Sequence, residues 1–524
     1  MDTNSHLSAA WPTGAPTWNL AVIISTFVIT YYSITSVQAY WRLRHFKGPT
    51  LAAWSNLWYV RAVVSGKAHL YMADACRRYG PIVRVGPNTL ITCDEELFRK
   101  INSVRSGYQK ADYYKAFRFD AERENILSET NNDRHLNMRK KVTAGYSGKE
   151  NPNLEPDMDS VLWSTIILLK SYASKGADLK PLDFARTMQF FTLDVITSIA
   201  LGQPFGFVTN DKDMYGYIGT MTANFPAMNF MAAVPILSRL MRNHWFQRAT
   251  LPTVKDKIGM GKIKAVSRDL IAHRFGPKKI TREDMTQSFV RHGLTEGEIA
   301  DESLLQILAG SDTTATILRT GFIYIVSNPR IYNRLQSECD STDVPLNEII
   351  SSARALELPY LTACIKETLR YHPAASGLNP RTVPPRGDVY NDQFLPPGTV
   401  IGVSSWALHR LNTSAYGPDA HVFRPERWLE ASPTQLAAME KAHELVFGYG
   451  QYRCLGERIA RIELHKTFFE LIRRFDFGFL DVMRGENVVG GGEGYGLMDF
   501  NINYGIFLQR GLWLRIEERI SPQS

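Results

Sequence analysis

Phe447-Gly448-Tyr449-Gly450-Gln451-Tyr452-Arg453-Cys454-Leu455-Gly456 sets one cysteine in a glycine-rich turn that opens a helix. The glycines allow backbone conformations closed to other residues and let a flat ligand come close. A helix N-terminus aims unpaired N–H groups and a positive dipole at whatever sits there, which favours a thiolate over a thiol. Phe447, at the start of the turn, offers a ring to pack on a macrocycle. These features together describe an iron–thiolate site. Alone, a cysteine in an intracellular chain is more often an inert buried residue, so the rest of the sequence has to decide.

The chain has 524 residues, 44% of them hydrophobic, enough for one large core. Lys and Arg number 60 against 52 Asp and Glu, a net charge of +8. That modest excess suits an acidic protein partner or a membrane surface. No dense Arg/Lys run with interleaved aromatics is present, which argues against a nucleic-acid partner. The five cysteines are scattered and never form C-x-x-C, which argues against a disulfide framework and a cysteine-rich zinc site and for a reducing compartment.

After Asp2 no charged residue appears until Arg42. Residues 18–40 are largely apolar and aromatic, about as long as the ~20 residues that cross a bilayer. No basic residue precedes the apolar core, unlike a cleaved signal peptide. Arg42, Arg44 and Lys47 follow at once, so the positive-inside rule leaves the bulk of the chain cytosolic. The expected layout is a lumenal N-terminus (1–17), a transmembrane anchor (18–40), a basic, proline-containing hinge (41–50) and a catalytic body (51–524). Asn412-Thr413-Ser414 matches a glycosylation sequon that this topology leaves unused.

Beyond the hinge, Ile82–Val85 and Leu90–Thr92 flank Gly86-Pro87-Asn88 and read as a β-hairpin. From about 120 to 370 the pattern is mostly helical, the longest helix running from near Ala300 to Val326 and a second ending at Tyr371. Strand patterns return at 398–403 and 504–516. The fold class is therefore mainly α with small β-sheets near each end. The apolar stretch from Asn224 to Leu237 reads as a membrane-dipping segment, a substrate entrance or ordinary core. Gly490–Gly496 lacks the strand-to-helix context of a dinucleotide loop, and His443-Glu444 lacks the second histidine of a zinc motif.

Ala309-Gly310-Ser311-Asp312-Thr313-Thr314 interrupts the longest helix. Glycine there costs about 1 kcal/mol, and Ser, Asp and Thr compete for backbone hydrogen bonds. Such an interruption predicts a local bulge or an inserted water. An acid beside a hydroxyl, both facing a pocket, would relay protons to a ligand. Glu367 and Arg370 lie one helical turn apart and can pair, with Pro425-Glu426-Arg427-Trp428 supplying a third charged partner.

In this order the residues resemble the cytochrome P-450 superfamily, the haem-thiolate monooxygenases. The helix motif matches Ala309–Thr314, the E-x-x-R matches Glu367 and Arg370, the P-E-R matches Pro425–Arg427, and the cysteine loop matches Phe447–Gly456. Trp406-Ala407-Leu408-His409-Arg410 and Gly448-Tyr449-Gly450 look most like fungal members of the pisatin-demethylase-like kind, which commonly decorate secondary metabolites.

The resemblance implies the cytochrome P-450 fold behind a single-pass anchor in the endoplasmic reticulum membrane. It implies haem b (iron protoporphyrin IX) with Cys454 as its axial iron ligand. Electrons would come from NADPH through a separate NADPH–cytochrome P-450 reductase, and one atom of O2 would enter a small apolar substrate, a terpenoid, polyketide or alkaloid. Asp312 and Thr313 would deliver protons during dioxygen activation, and Glu367, Arg370 and Arg427 would form a structural charge network. His135, Arg139 and Arg381 match propionate-binding positions. Ile307, Leu308, Ala309, Ser311, Thr314, Ala375, Ser376, Leu378 and Phe507 match the substrate pocket.

Basic residues near the haem-side motifs (Arg134, Lys140, Lys141, Arg458, Arg461) would either dock the reductase or form a solvated face. One position departs from the family: Tyr452 stands where Arg or His is usual, with Arg453 one residue late. Either Tyr452 donates to a propionate, or His135, Arg139 and Arg381 carry that load and Arg453 faces the reductase. A haem-thiolate isomerase or dehydratase that needs no O2 is the alternative. Such relatives often lose the acid–alcohol pair that is intact here.

Overall fold

Helix Phe184–Leu201 is buried along nearly its whole length, because Phe190, Phe191, Leu193, Val195, Ile196 and Ile199 cover more than one face. A helix apolar all round must lie inside the molecule. It packs along the long helix Glu296–Val326, and the two form the centre of the main hydrophobic core. The long helix opens on a capping box: the Glu298 N–H donates to the Thr295 hydroxyl at 3.3 Å, and the Thr295 N–H donates to the Glu298 carboxylate at 2.8 Å. This computed structural model describes residues 15–174, 178, 180–480, 501–509 and 511–519. The Gly490–Gly496 stretch lies outside the described residues.

The predicted hairpin is present, Ile82–Gly86 pairing antiparallel with Thr89–Thr92. The second strand runs parallel to Val400–Val403, followed by Arg381–Thr382 and Gln109–Lys110, which completes a five-stranded sheet. A three-stranded sheet joins Leu182–Asp183, Trp513–Glu518 and Phe475–Phe479. The architecture is thus a large helical body with small sheets, as expected.

The N-terminal helix spans Ala15–Arg42, and its Val22–Arg42 portion is apolar and largely exposed. It is the one helix among the described residues long and apolar enough to cross a membrane. Its far end is seated on the body: the Arg84 guanidinium donates to the Ala39 carbonyl at 3.0 Å, and Leu43 and Phe46 are buried. Residues 224–237 fall largely in helix Tyr217–Ala233, which carries Pro226 within it. Phe225 is buried there while Ile236, just beyond, is exposed.

The bulge expected at 309–314 does not form; the long helix is α-helical throughout. Three hydroxyls in and beside this stretch are satisfied within the helix. Ser311 donates to the Ile307 carbonyl (2.6 Å), Thr313 to Ala309 (2.8 Å) and Thr316 to Asp312 (2.8 Å). Gly310 lets Ile196 of the neighbouring helix approach, since a Cβ there would lie 3.0 Å from Ile196 Cγ1.

Candidate active site

The cysteine turn closes through one backbone bond, the Cys454 N–H donating to the Phe447 carbonyl at 2.7 Å. Gly448 (φ 81°) and Gly450 (φ 59°) take left-handed conformations, and a Cβ on Gly450 would collide with the Asn102 carbonyl. Helix Glu457–Arg474 follows, capped by Gly456. Cys454 is accessible to solvent and also deep in the fold. Burial pushes its thiol pKa up, against the pull of the Gly456 and Glu457 N–H groups and of Arg139. The Arg461 guanidinium lies 5.1 Å from the Phe447 ring centroid.

Helix Asn132–Tyr146 turns His135 and Arg139 inward, one helical turn apart, and leaves Arg134, Lys140 and Lys141 exposed. Arg381 meets them from the sheet. Between them lies Tyr452, its ring 5.2 Å from His135 and 4.1 Å from the Arg381 guanidinium. The Tyr452 hydroxyl donates to Asn132 Oδ1. Arg453 pairs with Glu457 and Glu444, each at 2.7 Å, and so points away from this cluster.

Lys110 and Tyr114 join the cluster, and no motif in the sequence announced them. The Lys110 ammonium is buried, donates to the Ile126 and Leu127 carbonyls at 2.6 and 3.0 Å, and lies 5.5 Å from both the Tyr114 and Tyr452 rings. Burial, then Arg381, hold its pKa well below the ordinary lysine value, while Glu302 and Glu129 oppose them. Burial, then Lys110, Arg139 and Arg381, bring His135 down to about 3. His135 Nδ1 and Arg381 Nε have no hydrogen-bond partner among the described residues, and no carboxylate there pairs with Arg139.

Asp312 and Thr313 face different ways. Ala309 and Thr313, four apart, share the accessible side of the long helix. Asp312 turns toward helix Phe184–Leu201, where its carboxylate accepts from the Gln189 amide. Sequence reading set acid and alcohol in one pocket, but neighbouring helix residues project about 100° apart.

The expected pocket residues divide. Ala309 and Ala375 are accessible, whereas Ile307, Leu308 and Thr314 are buried in the helical core. Ser311 bonds back to its own helix, and Ser376 bonds to the Pro373 carbonyl at 2.6 Å. Leu378 packs with Met72, Ala75 and Val83. Phe507 packs on Trp406 and on His372, its ring centroid 4.3 Å from the histidine's. For Ile307, Ser311 and Leu378 the reason is direction: those side chains meet neighbouring elements that the sequence alone does not place.

The charge network assembles in full. Arg370 grips Glu367 through two bonds of 2.7 and 2.8 Å, and both side chains are fully buried. Arg427 adds a bond to Glu367 at 3.1 Å, Trp428 Nε1 one at 3.0 Å and the Arg424 N–H one at 2.8 Å. Arg427 also meets Asp419 at 2.9 Å; against partial burial, Arg427 and Arg424 hold that carboxyl at about 2.

His443 bonds the Lys366 carbonyl at 3.1 Å, and no cluster of three or more His, Cys, Asp or Glu residues suited to a metal ion occurs among the described residues.

A family model described as cytochrome P-450 matches residues 47–489. Cytochrome P-450 monooxygenase ABA1 of Pyricularia oryzae is 39% identical over 466 residues, covering 87% of this chain and 91% of that protein. A monooxygenase named aba1 from Botryotinia fuckeliana is 34% identical, with coverage of 91% and 92%. Pisatin demethylase of Fusarium vanettenii is 31% identical, with coverage of 87% and 88%.

Proposed function

We propose, for a chain that belongs to the cytochrome P-450 superfamily and is a haem-thiolate monooxygenase, that it oxidises an apolar fungal secondary metabolite at the endoplasmic reticulum membrane. Haem b, NADPH and a separate NADPH–cytochrome P-450 reductase complete the system. The terpenoid, polyketide and alkaloid classes fit this reading alike.

The observation that carries the site assignment is the pairing of one accessible, deeply set cysteine with a cluster of buried cations around Tyr452. A haem brings two carboxylates and a metal that takes a thiolate. The residues present fit it: Cys454 would hold the iron, and Arg381 Nε is a buried donor and His135 Nδ1 a buried ring nitrogen, neither with a partner among the described residues. Arg139 and Lys110 would add positive charge for the propionates, and Arg453 would not, being paired with Glu444 and Glu457. When bound, the haem supplies the reductive activation of dioxygen and the insertion of one oxygen atom into the substrate.

The chain's own residues do the rest. The Gly456 and Glu457 N–H groups and Arg139 favour the anionic cysteine. Thr313 presents its hydroxyl on the accessible side of the long helix beside Ala309, and Asp312 is the proton donor behind it. Ala309 and Ala375 leave room for a bulky ligand. The Val22–Arg42 helix would anchor the chain, and the exposed face of helix Asn132–Tyr146 would offer Lys140 and Lys141 to an acidic reductase.

Cys454→Ala should abolish the red-shifted Soret band that marks thiolate ligation in the reduced, CO-bound protein. Survival of that band would overturn the ligand assignment. Product carrying one atom from isotope-labelled O2, formed with NADPH and reductase from a panel of apolar metabolites, tests the substrate class.

A further inference from the structure

Helix Ala68–Tyr79 ends at Gly80, whose N–H donates to the Cys76 carbonyl at 3.0 Å. The chain then enters the hairpin, where Ile82 stands opposite Thr92. One residue beyond that pair, the Cys93 N–H donates to the Pro81 carbonyl at 3.0 Å. The Thr92 hydroxyl donates to the same oxygen at 3.0 Å. The end of the helix and the end of the strand are therefore pinned together through Gly80 and Pro81. This sets Cys76 and Cys93 in one small apolar cluster with Met72, Val83 and Ile91. Their side chains meet there, the Cys76 thiol donating to the Cys93 sulfur.

The two sulfurs are not equivalent. Cys76 is buried and Cys93 is partly exposed. The hydrogen bond to Cys93, then burial, raise the Cys76 thiol pKa. The same bond holds Cys93 below the ordinary thiol value, against burial and the neighbouring Asp94. A thiolate that solvent can reach, poised beside a second sulfur, is what oxidants select. Cys339 and Cys364 are both buried, and burial pushes their thiols up. In a reducing compartment, paired cysteines form transient redox bonds rather than permanent staples.

We propose that Cys76 and Cys93 form a reversible oxidative modification site, with hydrogen peroxide as the oxidant. The Cys93 thiolate attacks one peroxide oxygen: the S–O bond forms, the O–O bond breaks and hydroxide leaves. Cys76 then attacks the sulfur of the Cys93 sulfenic acid. The S–S bond forms, the S–O bond breaks, and the Cys76 proton leaves with the hydroxyl as water. The pair of thiols is oxidised to a disulfide, and the peroxide is reduced to water with the protons they release. Sulfurs already in contact have only to close to about 2.05 Å, and the backbone on both sides is already pinned. The bond ties helix Ala68–Tyr79 to the sheet, and a dithiol reductant restores the starting pair. No part of this step uses the haem.

The test takes the full-length haem protein, reduced and then freed of reductant, and treats it with hydrogen peroxide. Remaining thiols are alkylated, and tryptic peptides are weighed by mass spectrometry. Cleavage after Lys67, Arg77, Arg84 and Arg99 puts the two cysteines on separate peptides, 68–77 and 85–99. The expected product is these two peptides joined and parted again by dithiothreitol. Recovery of both peptides unlinked overturns the site, and so does a link between two chains, seen as a dimer on a non-reducing gel.

The order of attack has its own readouts. In the reduced wild type, iodoacetamide should label Cys93 about tenfold faster than Cys76. Cys76→Ala removes the second sulfur, so the Cys93 sulfenic acid should persist, be trapped by dimedone and run on to the sulfinic acid. Equal labelling of the two cysteines, or dimedone on Cys76 in Cys93→Ala, overturns Cys93 as the attacked sulfur. If either variant does not fold, the wild-type link and labelling rates decide.

Discussion

Two clusters of buried cations stand in this protein, and they are built on opposite terms. Around Glu367, Arg370 and Arg427 make bonds to Glu367 and Asp419 and to the carbonyls of Tyr416, Ala420 and Val422. Around Tyr452, the cations Lys110, Arg139 and Arg381 face one another and a neutral His135, and two of the cluster's buried nitrogens have no partner among the described residues. A closed cluster is scaffold: its charges are matched within the chain. An open one holds like charges together and is stable only to the extent that an anion from outside joins it.

Breaking the closed cluster should have the largest effect. Arg370→Leu strands the Glu367 carboxylate with fewer partners at a fully buried site, a loss of roughly 3–5 kcal/mol. The expected outcome is little or no folded protein with or without added haem, read by yield and thermal unfolding. Folded Arg370→Leu protein at wild-type yield would mean that Arg427 and Trp428 alone close the cluster.

The open cluster should behave in the reverse sense. Arg381→Ala removes one of three mutually repelling cations, so the haem-free protein should unfold at the wild-type temperature or above it. The same change should release haem about tenfold faster to a scavenging apoprotein, the scale of one charge-assisted bond at roughly 1.5 kcal/mol. Haem-free protein destabilised as severely as Arg370→Leu would show that the cluster is scaffold after all.

What the sequence made legible follows the same division. Glu367 and Arg370 sit one turn apart, so their pairing could be read from spacing alone, and the Pro425–Trp428 stretch named a third charged partner. The cysteine turn was legible because glycine at 448 and 450 marks backbone that other residues resist. Lys110, Tyr114 and Gln189 carried no pattern, since each meets partners on separate elements and becomes a site residue only through packing. Asp312 was visible as a type and hidden as a direction. The helical repeat separates it from Thr313 by about 100°, but only the place of Gln189 shows which helix it faces. The bulge expected at 309–314 failed for a related reason: the Ser311 and Thr313 hydroxyls found acceptors in their own helix.

A smaller effect should come from Glu302, the acid that faces Lys110. Burial, opposed by the Ile126 N–H and then by Lys110, leaves its pKa at about 8, above the ordinary 4.5. The native state therefore holds a proton that the unfolded chain has released between those values. The stability this confers is complete below about 4.5 and is lost as the pH rises through 8. Glu302→Gln cannot titrate, so its thermal midpoint should stay flat where the wild type declines, a gap of ~2 kcal/mol already at pH 6. Parallel pH profiles for the two proteins would place Glu302 as an ordinary carboxylate fully paired with Lys110.

The smallest effect is expected at Tyr452, which stands where the family usually has a cation. Its hydroxyl is committed to Asn132, and its ring is what Arg381, Lys110 and His135 approach. Tyr452→Phe keeps the ring and deletes one neutral hydrogen bond, so stability should fall by about 0.5–1.5 kcal/mol. Haem release should stay within twofold of wild type, far from the tenfold change expected for Arg381→Ala. If release instead accelerates as much as in Arg381→Ala, the hydroxyl serves a propionate directly and Asn132 is only its resting partner. The missing cation would then be replaced by a donor in the same position. If it does not, the charge has moved to Lys110 on a distant strand, and the open cluster has kept its purpose while changing the residue that supplies it.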